Sequence, residues 1–157
     1  MDEIKLQPVG VVHSIRVTPE DDDWDGVDAF IELDATRFGP EALAGLDTFS
    51  HVEVIFVFHR VDAEKVCEGS RHPRNQERWP KVGIFSQRGK GRPNRLGLTT
   101  CRVARVDGLR LYVRGLDAID GTPVMDLKPW MSGFAPRGAR WEPPWALELM
   151  AQYWSAD

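Results

Sequence analysis

The sequence predicts a mainly β domain whose twisted sheet closes into a barrel, with short peripheral helices that include one near the C-terminus. Three observations predict this. The apolar residues fall into short runs rich in Val, Ile and Phe, separated by loops. Glycine and proline make up 25 of the 157 residues, against a usual share of about 12 per cent. The strongest run, His51–His59, is apolar on both faces and needs cover on both sides. One hundred and fifty-seven residues, 42% of them apolar, fit a single domain over 1–157 with a buried core.

Val9–Val17 and Ala29–Leu33 read as strands joined by an acidic loop. Gly39–Leu46 has room for two helical turns, with Pro40 tolerated at their start. In His51–His59 (HVEVIFVFH), Val52, Val54, Phe56 and Phe58 share one face, and Ile55 and Val57 make the other apolar too. Such a strand is either central in a sheet or part of a closed barrel wall. Val82–Phe85 is a short strand. Leu98–Val106 and Leu109–Arg114 form a hairpin about Asp107-Gly108, a favoured pair for a two-residue type I′ turn. That register sets Val106 opposite Leu109, Ala104 opposite Leu111 and Arg105 opposite Arg110. Leu116–Leu127 alternates loop and strand. Pro143–Trp154 begins with two prolines suited to a first helical turn and runs about three turns, roughly 18 Å. Its two apolar stripes, Trp145–Leu149–Tyr153 and Leu147–Met150–Trp154, require cover from the barrel wall or from a second subunit.

The net charge of −4 excludes a chain coated in positive charge for non-specific nucleic-acid binding. The charge is segregated, however. Residues 20–28 (EDDDWDGVD) hold six carboxylates and no cation, whereas residues 71–95 hold eight Lys or Arg against the single Glu77. A cationic segment in an acidic chain, interleaved with Trp79, Phe85 and glycines, points to a localised anion site. No window approaches 18 uncharged apolar residues, so no membrane span is expected. The start MDEIKLQPVG lacks a signal peptide's basic and apolar regions. Cys67 and Cys101 have neither a disulfide framework nor metal-ligand spacing and read as reduced thiols of a cytoplasmic protein.

Familiar nucleotide motifs fail on spacing. In GIFSQRGKGRPN, Gly83 lies six residues before Gly89 where a phosphate loop needs five, and Gly91 follows Lys90 where it needs Ser or Thr. The dinucleotide fingerprint meets Asn94 at its third glycine, with Pro93 where a helix should open. His51 and His59, at the two ends of one strand, would lie roughly 26 Å apart, so no metal site is expected. Three segments remain dense in ligand-binding groups: Phe56–Arg60 (FVFHR), Gly83–Gly97 (GIFSQRGKGRPNRLG) and Leu116–Trp130 (LDAIDGTPVMDLKPW). The last carries Asp117, Asp120, Asp126 and Lys128 about a Gly-Thr-Pro turn.

In content, order and spacing, FSHVEVIFVFH, VGIFSQR…RPNRLGL and LDAIDGTPVMDLKPW resemble the TsaA-like (TrmO) family, over residues 8–130. That family comprises S-adenosylmethionine-dependent methyltransferases of N6-threonylcarbamoyladenosine in tRNA. The resemblance implies a β-barrel distinct from the usual methyltransferase fold, a homodimer, and a cofactor bound near the subunit interface. It implies S-adenosyl-L-methionine contacts at His59 and Arg60, at Arg88, at Leu98, and along Asp117, Ala118, Ile119 and Asp120. Within that implied site an Asp accepts from ribose hydroxyls or the ammonium, Arg88 offers a planar fork to a carboxylate, and Leu98 packs on the adenine. Asp126 and His59 are the candidates for a base, because carbamoylation delocalises the lone pair of adenine N6. Arg92, Asn94 and Lys128 are candidates for the threonyl carboxylate or RNA phosphates.

The chain departs from the family where typical members carry Pro-Arg-Gln in the first long loop. Here that loop is Glu20–Gly26, acidic and without arginine. Two alternatives follow: the same cofactor with a small-molecule acceptor, or a non-enzymatic barrel that binds RNA or another ligand.

Overall fold

A computed structural model describes residues 2–155. Six strands form a closed antiparallel barrel: β1 (Gly10–Ser14), β2 (Asp28–Leu33), β3 (His51–Val57), β6 (Leu96–Asp107), β7 (Arg110–Arg114) and β8 (Pro123–Pro129). The order around the wall is β1-β2-β7-β6-β3-β8, with β8 returning to β1. Two short strands outside the barrel, β4 (Ser70–Arg71) and β5 (Val82–Gly83), pair with each other. Closure decides the alternative left open for His51–His59: β3 lies between β6 and β8 in the barrel wall.

Alternation along the strands builds the interior. Val52, Val54 and Phe56 of β3 meet Val12, Ile31, Leu111, Val113 and Val124 in one core, each essentially inaccessible to solvent. Each such side chain contributes about 1.5–3 kcal/mol by leaving water. Gly97 of β6 faces Phe56, and a Cβ there would stand 2.4 Å from its ring. The largest interior residue thus needs the smallest one opposite it. Among the described residues, no helix is long and apolar enough to cross a membrane.

Several elements are shorter or shifted relative to expectation. β1 stops at Ser14, and Ile15 and Val17 are exposed. The 39–46 segment forms two 3₁₀ turns, Pro40–Leu43 and Leu46–Thr48. The 82–85 run is strand only at Val82–Gly83, and a 3₁₀ turn over Ile84–Ser86 follows.

The hairpin turn is displaced by one residue. Asp107 pairs with Arg110 and Val106 with Leu111, so the loop is Gly108–Leu109. Of these two, only Gly108 has a positive φ, which excludes type I′ and suits a turn with glycine first. A register shift between Val103 and Arg105 then sets Arg105 opposite Tyr112. Its guanidinium stacks on that ring, 3.5 Å from the centroid. Arg110 instead bonds Glu32 of the neighbouring β2, Nε to Oε1 at 2.9 Å. The expected Arg105–Arg110 juxtaposition does not occur, because each cation has a better partner. Ala104 is exposed, not buried.

The C-terminal helix α1 spans Pro144–Met150, about two turns where three were expected. Its continuation is diverted. The carbonyls of Gln152 and Tyr153 accept from the N–H groups of Asp23 and Trp24 at 3.1 and 2.9 Å. Trp79 Nε1 donates to Glu148 at 2.9 Å, and Tyr153 packs on Trp24, Val27 and Ile119. The chain's own loops therefore cover the Tyr153 stripe, while Leu147 on the other stripe stays exposed.

Candidate cofactor and substrate site

The arginine-bearing turn and the aspartate-bearing turn meet at one corner of the barrel. Arg88 leaves the 3₁₀ turn after β5 and returns to the wall, where Nη2 donates to the carbonyl of Leu98. The next residue, Thr99, donates its hydroxyl to Oδ1 of Asp117, and the Tyr153 hydroxyl donates to Oδ2. Arg88, Leu98 and Asp117 are thus drawn together across three elements. Leu98 is 44% exposed, an apolar surface beside charged groups.

The Leu116–Thr122 segment is pinned along its length. Asp120 accepts the Ser14 N–H through Oδ1 at 3.1 Å, and its own N–H donates to Arg16 at 2.7 Å. Asp120 therefore anchors the end of β1, whereas Asp117 faces the cluster. The side chains of Ala118 and Ile119 are buried, so they support the segment from beneath.

His59 follows β3 onto the same turn. Its Nδ1 lies 3.4 Å from the Thr122 hydroxyl, and a Cβ at Gly121 would meet Nε2 at 3.9 Å. Partial burial, reinforced by the charge of Arg60, lowers the pKa of His59 below its usual 6.5. Arg60 itself is exposed. Tyr153 is held as a neutral phenol: burial first, then the charge and hydrogen bond of Asp117, push its pKa up, while Arg88 and Arg74 oppose the shift.

Asp126 lies in one transverse row of the wall with Ile55 and Leu98, and neither it nor Lys128 bonds to Arg88 or Asp117 among the described residues. Asp126 and Lys128 pair with each other at 3.2 Å, with Asp126 opposite Ile55, four residues back from His59. Asp126 also helps to line a groove with Phe38, Leu43, Leu46 and Phe49. Asn94 is exposed at the turn tip. Arg92 braces the loop by donating to the Gln87 carbonyl at 2.8 Å, one residue from Arg88.

The glycines of GKG are explained by packing. A Cβ at Gly91 would come 2.7 Å from the Lys65 carbonyl, and one at Gly89 would reach 3.0 Å from Arg71 Nη2. The cationic segment is also partly neutralised from within: Arg74 Nη2 meets Asp22 Oδ1 at 2.8 Å, and Lys90 lies 3.9 Å from Asp21. Thr99 and Tyr153, the two donors to Asp117, were not among the residues expected here. Only the aspartate they serve was marked, because a Thr in an alternating strand and a Tyr in an apolar stripe carry no local signal of such a bond.

Fold and corner together define a small closed β-barrel domain in which one strand, β6, gathers a guanidinium and a carboxylate from two separate loops. The family model described as the tRNA-methyltransferase O N-terminal domain matches residues 14–135, and the chain belongs to this family. A mouse protein named tRNA (adenine(37)-N6)-methyltransferase is 41% identical over 93 residues, covering 59% of this chain and 21% of that protein. A Methanothermobacter thermautotrophicus protein named probable S-adenosyl-L-methionine-binding protein is 39% identical over 132 residues, 82% of this chain and 90% of the relative. The crystal structure of TrmO from Pseudomonas aeruginosa superposes with a TM-score of 0.70 at 27% identity, over 88% of this chain and 62% of that one. The chain spans about a fifth of the length of the mammalian relatives it matches.

Proposed function

We propose that this chain is an S-adenosylmethionine-dependent methyltransferase acting on N6-threonylcarbamoyladenosine of tRNA. Membership of the tRNA-methyltransferase O family supports this, as do relatives whose names state tRNA adenine-37 N6-methylation or S-adenosylmethionine binding. The observation that carries it is the gathering of Arg88, Leu98, Thr99 and Asp117 in one corner.

The donor set fits the cofactor. A carboxylate offers about four lone-pair sites. Thr99 and Tyr153 use one on each oxygen of Asp117, which leaves acceptors for ribose hydroxyls or an ammonium. Arg88 gives one N–H to Leu98 and keeps others for a carboxylate. Leu98 presents apolar surface to a purine. When bound, the cofactor supplies a methyl group on a sulfonium sulfur, and transfer to N6 leaves a neutral thioether and releases the N6 proton. His59 is the better placed of the two candidate bases. In the tautomer that carries its proton on Nδ1, towards the Thr122 hydroxyl 3.4 Å away, Nε2 is free to take the N6 proton, and the lowered pKa favours the neutral ring. Most of the rate enhancement then comes from alignment, for which holding the reactants in register supplies up to about 7–11 kcal/mol.

We further infer a cytoplasmic homodimer. The tRNA substrate supports the location. Phe85, 79% exposed near Arg88, supports a second copy closing the corner. The reading is tested by incubating the protein with S-adenosylmethionine and tRNA bearing threonylcarbamoyladenosine, followed by nucleoside mass spectrometry. A product one methyl heavier is expected; an unmethylated nucleoside despite calorimetric binding of the cofactor would move the assignment to a small-molecule acceptor. Neutralisation of Arg74 by Asp22 is the observation that favours that second reading.

A further inference from the structure

We propose that Tyr153, delivered by the C-terminal tail, is a positioning residue of the cofactor site that sets the Asp117 carboxylate for its ligand. The inference rests on the cofactor reading above and adds a residue beyond the matched family domain, which ends at 135.

The contact is built from both sides. The tail reaches the corner because the acidic loop holds it there: Asp23 and Trp24 donate backbone N–H groups to Gln152 and Tyr153, and the Ser155 hydroxyl donates to Asp23 Oδ1 at 2.8 Å. The tyrosine ring packs against Trp24, Val27 and Ile119, so its hydroxyl has one direction to point. That direction is Oδ2 of Asp117, whose other oxygen takes the Thr99 hydroxyl. Two hydroxyl donors, one per oxygen, fix the plane of the carboxylate and so fix where its free lone pairs aim. Tyr153 is also held protonated by its surroundings, so it serves Asp117 as a donor and does not compete for the ligand's own donors. Loop 20–26 lacks the arginine that the family pattern places there, and in this chain it instead docks the tail that brings Tyr153 in.

The test is Tyr153→Phe in the full chain, which keeps the ring and removes the donor. The Kd for S-adenosylmethionine by calorimetry, and the KM for it in turnover, are expected to rise about tenfold, the loss of one hydrogen bond to a charged group. The kcat at saturating cofactor stays within about twofold, since the residue orients ground-state binding. Unchanged affinity in Tyr153→Phe, with the wild type binding normally, overturns this proposal alone. No binding heat from the wild type overturns the cofactor reading and this proposal with it. Should phenylalanine itself unsettle the tail, the background Asp117→Ala, which has no acceptor for the hydroxyl, decides: acting through Asp117, Tyr153→Phe adds no further loss there, and a fully additive loss overturns the role.

Discussion

Asp22 and Arg74, 52 residues apart in sequence, grip each other at two points: Nη2 to Oδ1 at 2.8 Å and Nη1 to Oδ2 at 3.1 Å. The acidic loop and the cationic segment, which read as separate features along the chain, are a matched pair in the fold. Asp22→Ala is expected to cost about 1 kcal/mol of stability at most, since both partners are partly solvated. On the tRNA reading proposed above, it also frees one guanidinium for an RNA phosphate. The dependence of log K on log salt for tRNA should steepen by roughly 0.7–0.9, as measured by filter binding across a salt series. An unchanged slope would place Arg74 off the RNA path.

Arg88→Ala removes both the tie to Leu98 and the fork offered to a ligand carboxylate. Affinity for S-adenosylmethionine should fall about 10- to 100-fold, as for the loss of a charge-assisted pair. The melting temperature should shift little, because the side chain is exposed. Calorimetry and a melting curve read the two effects separately.

Cys101 sits under the barrel wall, and burial, with the Asp117 charge adding to it, pushes its thiol up to about 12. A thiol reagent at pH 8 acts on the thiolate, so Cys101 should react only on unfolding. Cys67, partly accessible, should react in the native state. One equivalent released natively and two in denaturant is the expected titration.

His59 has a folded pKa below its unfolded value of about 6.5, so the unfolded chain binds more protons in the window beneath that value. Stability contributed here is present above about pH 6.5 and declines as the pH falls through the window to the folded pKa. His59→Gln should flatten that part of the melting-temperature profile between pH 7 and 5. An NMR titration of the ring in the wild type should give an apparent pKa under 6.5.

The barrel was legible wherever the information is local. Val52, Val54 and Phe56 alternate with a period that only a strand uses, and their apolar neighbours Ile55 and Val57 signal cover on the outer face. The hairpin at Asp107-Gly108 was legible as a turn but not in register. Its offset is decided across the sheet, where Arg110 meets Glu32 and Leu111 must point inward. The candidate site was legible as three segments: Arg88 and Asp117 come from two of them, Leu98 directly follows the first of these, and His59 of the third lies on the adjoining turn. The partners of Asp117 were not. Thr99 and Tyr153 look like strand and helix filler until the fold brings them within bonding distance, 18 and 36 residues away in the chain. For Asp126 the sheet adds two relations that no local pattern shows: the ion pair with Lys128, and a place in one transverse row with Ile55 and Leu98.

The join between the first and last barrel strands has a consequence for motion. β1 pairs with β8 only at Gly10–Val11 against Pro123–Val124, and the rest of that seam is stitched by the turn itself: Gly121 N–H to Val12, Val12 N–H to Thr122, Asp120 N–H to Arg16. The hinge about which such a cylinder would breathe is therefore the same stretch that carries His59's neighbours and the Asp117 arm. With two ladder pairs where every other join has five or more, this seam is where local opening is expected to cost least, and a molecule held by that turn is expected to raise the cost.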